Sequence, residues 1–264
     1  MRTNLLRAPL ASLLLVVSAG TMLPTRSGAV HPGFDVGRYP GDPVLRTWKE
    51  NAPYEWVGYY LPAPCHRDAS WSGKRENLEK LGWGVAVLYV GQQAFGGSAS
   101  KATPGKPVSQ CSSAHLSAER GRADAQDAIR KAKAEGFVPG SVVFIDIQPT
   151  RRMPAELVAY YRAWTVEMLR DGYYLPGTYA DRDNSADLYT LAQGMYRQAG
   201  RSDSPPFWVS GGTGFALNRH PTTAGHFADV WQGRRNHERT WGGMTLRVDE
   251  NTAAQRSPSA PIVD

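Results

Sequence analysis

Asp146 is a carboxylate inside an apolar run, Val142-Val143-Phe144-Ile145-Asp146-Ile147. Burying an ionised side chain without partners is costly. Such a group is either a structural aspartate held by backbone amides or an arginine, or part of a working site, where perturbed carboxylates gather. We read it as a site residue. Side chains alternate along an extended chain, so positions 146 and 148 share a face about 7 Å apart. Two carboxyl groups so placed would suit work on one glycosidic bond. Position 148 is Gln148. An amide can hydrogen-bond a sugar hydroxyl but cannot supply a proton at working pH.

Other polar residues follow apolar runs in the same way. They are Asp35, the pair Gln92 and Gln93, Tyr179 with Asp181, Trp208 with Ser210, Trp231 with Gln232, and Asp249 with Asn251. Asp35 taken alone reads equally well as a turn residue. Tyr39, Tyr179, Trp208 and Trp231 could form a floor on which a sugar stacks, or could simply fill the core. The six histidines show no metal or triad spacing, so no metal and no cofactor is expected. Ser210-Gly211-Gly212 lacks the Gly-x-Ser-x-Gly frame of a nucleophile elbow.

The elements that must position these residues are short apolar runs alternating with amphipathic stretches, which implies parallel strands covered by helices. Strands are expected at Phe34–Val36, Trp56–Leu61, Val85–Val90, Val142–Ile147, Leu175–Ala180, Phe207–Ser210, Ala228–Gln232 and Leu246–Asp249. Helices are expected from Asp42 (as cap), after Ser72, over Ser117–Glu135, Pro154–Asp171 and Ser185–Ala199, with Gly82, Gly136, Gly172 and Gly200 as stops. Gly96–Pro107 reads as a loop. Eight strands in one domain predict an α/β (β/α)8 barrel of the TIM type, with reduced helices in its C-terminal third. Its site lies at the carboxyl ends of the strands. The doubly wound alternative would want a glycine-rich phosphate loop after the first strand, and none is present.

The first residues read as a targeting segment. Arg2 and Arg7 precede the apolar run Leu10–Val17, and Ser27-Gly28-Ala29 offers small side chains for cleavage. A membrane span would need roughly 20 apolar residues. A signal peptide over 1–29, cleaved near Ala29, is therefore expected, followed by a barrel domain over 30–252 and a disordered tail over 253–264. No Arg-Arg pair favours the twin-arginine route. Loss of Arg2, Arg7 and Arg26 lowers the formal charge from +6 to +3. That excess is too weak and dispersed for a nucleic-acid partner. In a secreted protein the two cysteines, Cys65 and Cys111, are expected to pair.

The chain resembles the actinobacterial secreted glycoside-hydrolase-like barrels, a family related to the family 25 lysozymes. Several motifs carry the resemblance: Gly33-Phe34-Asp35-Val36, Tyr59-Tyr60-Leu61-Pro62-Ala63-Pro64-Cys65, Tyr89-Val90-Gly91-Gln92-Gln93 and Phe144-Ile145-Asp146-Ile147-Gln148-Pro149. Pro176-Gly177-Thr178-Tyr179, Pro206-Phe207-Trp208, Trp231-Gln232-Gly233 and Val248-Asp249-Glu250-Asn251 complete the set. They span Gly33 to Asn251, in order and at strand ends. The lysozymes cleave peptidoglycan between N-acetylmuramic acid and N-acetylglucosamine. The resemblance implies that Asp35, Asp146 and Asp249 match the catalytic-site carboxylates and that Trp231-Gln232 matches a site element. Gln148 stands where the lysozymes carry their proton-donating glutamate.

The resemblance therefore implies a glycan site more strongly than hydrolysis. We expect catalytic-site residues Asp35, Asp146, Gln148 and Asp249, with Tyr39, Gln92, Tyr179, Trp208, Trp231, Gln232 and Asn251 binding substrate. The partner is a cell-wall polysaccharide or peptidoglycan, and the protein is a secreted monomer without a membrane span. One reading is a glycoside hydrolase impaired by Gln148. The alternative is a catalytically silent carbohydrate-binding or cell-envelope maintenance protein. Asp181 and Glu250 are the other acids that could replace the missing donor.

Overall fold

The computed structural model describes residues 28–94 and 110–261. Residues 1–27, nearly all of the expected signal peptide, and the expected loop over 96–107 lie outside the described residues. Eight strands close a barrel in sequence order: β1 (His31–Asp35), β2 (Trp56–Leu61), β3 (Gly84–Tyr89), β4 (Val142–Ile147), β5 (Leu175–Asp181), β6 (Phe207–Ser210), β7 (Val230–Trp241) and β8 (Met244–Ala253). This is the expected α/β barrel. Helices α1 (Asp42–Asn51), α2 (Arg75–Lys80), α3 (Ala118–Ala134), α4 (Ala155–Asp171) and α5 (Arg182–Gln198) follow the first five strands in turn. After β6 only a 3-10 turn, Pro221–Thr223, remains.

The last two strands differ from the expectation. β7 and β8 run 12 and 10 residues, and β8 is antiparallel to both β7 and β1. The expected Ala228–Gln232 contains the part of β7 in the barrel wall, whereas the expected Leu246–Asp249 lies mostly beyond it and the part of β8 that pairs with β1 is Asp249–Ala253. Beyond Gln232 the two strands continue as an arm in which Arg234, Arg235, Glu238, Thr240 and Arg247 are exposed. The β7 half of this arm is too polar and exposed to carry an apolar signature. Its one local signal is Gly242-Gly243, both at positive φ (55° and 78°), the conformation a two-residue hairpin turn demands.

Helix ends follow local chemistry. Ser117 accepts a hydrogen bond from the Arg120 amide and starts α3. Gly172, at φ 73°, ends α4 in the left-handed region. α5 begins three residues before the expected Ser185, because the Asp181 carboxylate caps it by accepting from the Asp183 amide. Asp42 is not the cap of α1; Gly41 holds that position, and Asp42 accepts from the Tyr39 hydroxyl.

Packing forms two layers. Strand residues such as Phe34, Val143, Ile145 and Trp231 face the helices, and Trp48, Trp164 and Leu188 meet them there. Inside the barrel, Trp56, Leu88, Phe144, Trp208 and Val230 fill the interior. This inner plug makes the barrel solid and confines chemistry to the residues above it.

The tail expected to be disordered from 253 onward is ordered over its described part. Ser257 and Ser259 hydrogen-bond β3, the Ser259 carbonyl accepts from the Val142 amide of β4, and Ser259 is buried. Gly84 permits this approach, since a Cβ there would lie 1.9 Å from the Arg256 carbonyl oxygen. Cys65 and Cys111 form the expected disulfide, closing a segment of sequence separation 46. Among the described residues no helix is long and apolar enough to cross a membrane.

Candidate functional site

The inward-facing register of the strands brings a set of polar residues to the carboxyl mouth of the barrel. On β1, Asp35 is inward and buried; on β8, its cross-strand partner is Asp249. Gly58 makes room for Asp35, because a Cβ at that position would come within 2.5 Å of the Asp35 Cβ. Asp35 accepts three hydrogen bonds, from the Tyr60 hydroxyl (2.6 Å), the Gln232 amide (2.8 Å) and the Asn251 amide (2.8 Å). Tyr179 and Ser210 both donate to the Gln232 side-chain oxygen Oε1, and Trp208 donates to the Asn251 side-chain oxygen Oδ1. Gln232 and Asn251 are thus oriented from behind, so that their amide groups face the carboxylate.

Asp146 is less well served. Among the described residues its two carboxylate oxygens accept only from the Gln148 amide nitrogen, at 3.0 and 3.1 Å. Gln93 fixes the strand end here. Its amide donates to the Asp146 carbonyl, and its side-chain oxygen accepts from the Gln148 backbone amide.

Burial pushes the Asp35 carboxyl up to about 7, with Asp249 adding to the rise and the three donors opposing it. Burial likewise pushes Asp146 to about 7, helped by the charge of Asp35 and opposed by Gln148. Asp249 is also raised, by burial, against the Asn236 amide and Arg235. Tyr60 and Tyr179 are raised well above the ordinary phenol value, first by burial and then by the carboxylates. Both tyrosines therefore remain donors. At neutral pH such a pit can share protons among its acids and stabilise positive charge developing above them. Among the described residues no group of His, Cys, Asp and Glu could hold a metal.

Of the expected site residues, Asp35, Asp146, Gln148, Tyr179, Gln232 and Asn251 come together, with Asp249 beside Asp35. Three do not present themselves to a ligand, and a fourth, Tyr39, is half-buried. Trp208 is fully buried and packs edge-on against Trp56 and Phe144 inside the barrel. Trp231 is fully buried on the helix side of β7, bonded to the Gly211 carbonyl. Neither ring offers a face for a sugar, because one is packed into the barrel interior and the other against the helix layer. Tyr39 packs on Trp71. Gln92 is buried and holds the chain at Gln110 and Ser112, next to the disulfide.

The two alternative acids are also committed elsewhere. Asp181 caps α5. Glu250 lies on the opposite face of β8 and accepts from Tyr54, Arg234 and Arg239. Burial alone would raise its carboxyl, but these donors hold it low. Tyr60 is not among the expected site residues, and Gln93 is expected only as a polar residue at the end of a strand. The signal for Tyr60 was its parity with Trp56 and Gly58 on β2.

A family model described as the Rv2525c-like, glycoside hydrolase-like domain matches residues 46–253. The chain belongs to that family. The match covers every expected site residue except Asp35 and Tyr39, which precede it. Solved structures share the fold of this Rv2525c-like domain. An uncharacterized B. stearothermophilus protein is 20% identical, with 84% of this chain and 95% of that one covered and a TM-score of 0.52. The Clostridium perfringens spore cortex lytic enzyme SleM is 10% identical, covering 89% and 70%, TM-score 0.52. The modular autolysin LytC from Streptococcus pneumoniae is 15% identical, covering 84% of this chain and 46% of that one, TM-score 0.53. LytC has also been solved with a synthetic peptidoglycan ligand. No curated protein matches the chain. The chain is thus a glycoside-hydrolase-like domain related in fold to cell-wall lytic enzymes.

Proposed function

We propose that this domain is exported, binds a cell-wall glycan such as peptidoglycan at the barrel mouth, and hydrolyses it poorly. The observation that carries this reading is Gln148, whose amide donates to both oxygens of Asp146. The pit keeps carboxylates able to stabilise a positively charged sugar. Beside Asp146 it has an amide that cannot protonate the leaving oxygen. Loss of a general acid typically removes about 10²–10⁴ in rate. The family membership and the peptidoglycan ligand of the structurally similar LytC support the choice of glycan. The same observation favours a second reading, a silent carbohydrate-binding or envelope-maintenance protein, in which no hydrolysis remains.

The test compares release of soluble fragments from purified peptidoglycan. Wild type is expected to bind but release little. Gln148→Glu should raise turnover by about 10²-fold or more, and Asp146→Asn in that background should abolish the gain. A wild-type turnover equal to that of an ordinary lysozyme and unchanged by substitution at 148 would show that Asp35 or Asp146 itself is the acid. Binding with no turnover in either wild type or Gln148→Glu would support the silent reading.

A further inference from the structure

Beside the pit, the loop between β6 and β7 gathers guanidinium groups. Three of its glycines, Gly211, Gly212 and Gly214, have φ of 90°, 92° and 78°, a region other residues rarely adopt. Their missing side chains leave the loop backbone open. Arg182, at the start of α5, lies against this backbone: a Cβ on Gly212 would sit 2.9 Å from its Nη1. Arg219 approaches Gly214 in the same way, at 3.7 Å. Arg235, from the β7–β8 arm, reaches to within 3.9 Å of the Asp181 carboxylate, which itself lies under Gly211. All three arginines are exposed, as is Thr213 between the glycines.

The protein balances only part of this charge, since Arg235 also faces the field of Asp249. Among the described residues neither Arg182 nor Arg219 has a carboxylate within ion-pair distance, and Arg235 has Asp181 only at the limit. Neighbouring Arg234 differs, since it is paired with buried Glu250. Like charges converging on one loop repel, and a planar guanidinium is matched by a carboxylate or phosphate that can accept two of its hydrogens. The loop also touches the pit directly. The Gly211 amide donates to the Gln232 carbonyl, and Ser210 donates to the Gln232 side chain. A group bound on the loop would therefore lie beside a sugar held over Asp35.

We propose that Arg182, Arg219 and Arg235 with the Gly212–Gly214 backbone form an oxyanion subsite, which selects glycans carrying a carboxylate or phosphate over neutral ones. This rests on the glycan reading above and adds the chemical class of the ligand.

Four probes separate the possibilities: peptidoglycan strands with free stem-peptide carboxylates, the same strands amidated, amidated strands bearing a wall phosphodiester polymer, and neutral chitotetraose. Binding by wild type, Arg182→Gln, Arg219→Gln and Arg235→Gln is measured by calorimetry at low and high salt. Wild type should bind at least one anionic probe about tenfold or more tighter than the neutral ones, and salt should erode the difference. Each variant should lose most of that margin while binding neutral strands as wild type does. Which anionic probe is preferred identifies the source of the oxyanion. Equal wild-type affinity for neutral and anionic strands, or variants that retain the full margin, would overturn the subsite and leave the glycan reading standing. Failure to bind any probe would overturn both.

Discussion

Asp35 and Asp146 are both held near 7, yet for different balances of forces. Asp35 has three donors and a neighbouring carboxylate; Asp146 has one amide and the field of Asp35. A buried acid with a raised pKa is a pH-dependent cost to the fold. Well below the unfolded value both states hold the proton and no cost arises. As pH rises from about 4 to about 7 the unfolded chain ionises first, so stability falls; above about 7 the cost is complete. Asp146→Asn removes the ionisable group and keeps an oxygen for Gln148. It should stabilise the protein by something on the order of 2–4 kcal/mol at about pH 8, and by nothing near pH 4. Thermal unfolding of both proteins across this range checks it. A gain of equal size at both ends would show that ionisation of Asp146 is not its source.

At the scale of elements, two ties outside the strands hold the barrel. The first is the segment after β8. β3 and β4 pair only from Val87 and Val143 upward, and Ser259 fills the gap below them. It donates its amide to the Val85 carbonyl, accepts from the Val87 amide at 2.7 Å through Oγ, and accepts from the Val142 amide through its carbonyl. Ser259→Ala leaves the Val87 amide buried without a partner, for a cost of about 1–3 kcal/mol, and deletion from Arg256 onward should cost more. Urea unfolding of the two variants measures both, and a deletion without effect would mean that the segment merely rests on the base. The second tie is the disulfide, which joins the end of β2 to the approach of α3. In the chain-entropy account a loop of this size is worth ~4 kcal/mol, so Cys111→Ser should lower the unfolding midpoint markedly while a reductant should have no further effect on the variant.

For the whole molecule, the export reading unites an N-terminal apolar segment, a disulfide and a fold shared with cell-wall lytic enzymes. Disulfides persist in oxidising surroundings. Expressed with its complete N-terminus in a secreting bacterium, the protein should be recovered outside the cytoplasm, beginning near residue 30, with no free thiol. N-terminal sequencing and thiol titration read both points. Retention of an uncleaved, reduced chain in the cytoplasm would remove the cell wall as its place of action. The barrel's asymmetry fits that setting: the base is closed by the protein's own tail, and the mouth offers acids in the pit and arginines on the rim.

The sequence by itself determined the order of strands and helices, the strand ends at which Asp35, Asp146, Gln148, Gln232 and Asn251 meet, and the placing of an amide on the same strand face as Asp146. Each follows from local pattern: apolar runs, caps, glycine stops and the two-residue alternation of an extended chain. Tertiary structure decided what alternation cannot specify. It turned Trp208 into the barrel and Trp231 against the helices, gave Glu250 to Tyr54 and two arginines, and spent Gln92 on a loop near Cys111. It also recruited Tyr60 and Gln93 to the pit and folded the Ser- and Pro-rich tail against the base. These outcomes depend on partners distant along the chain. Whether a buried polar or aromatic residue serves a ligand or the core is settled by which element closes over it, and that closure exists only once the barrel has formed.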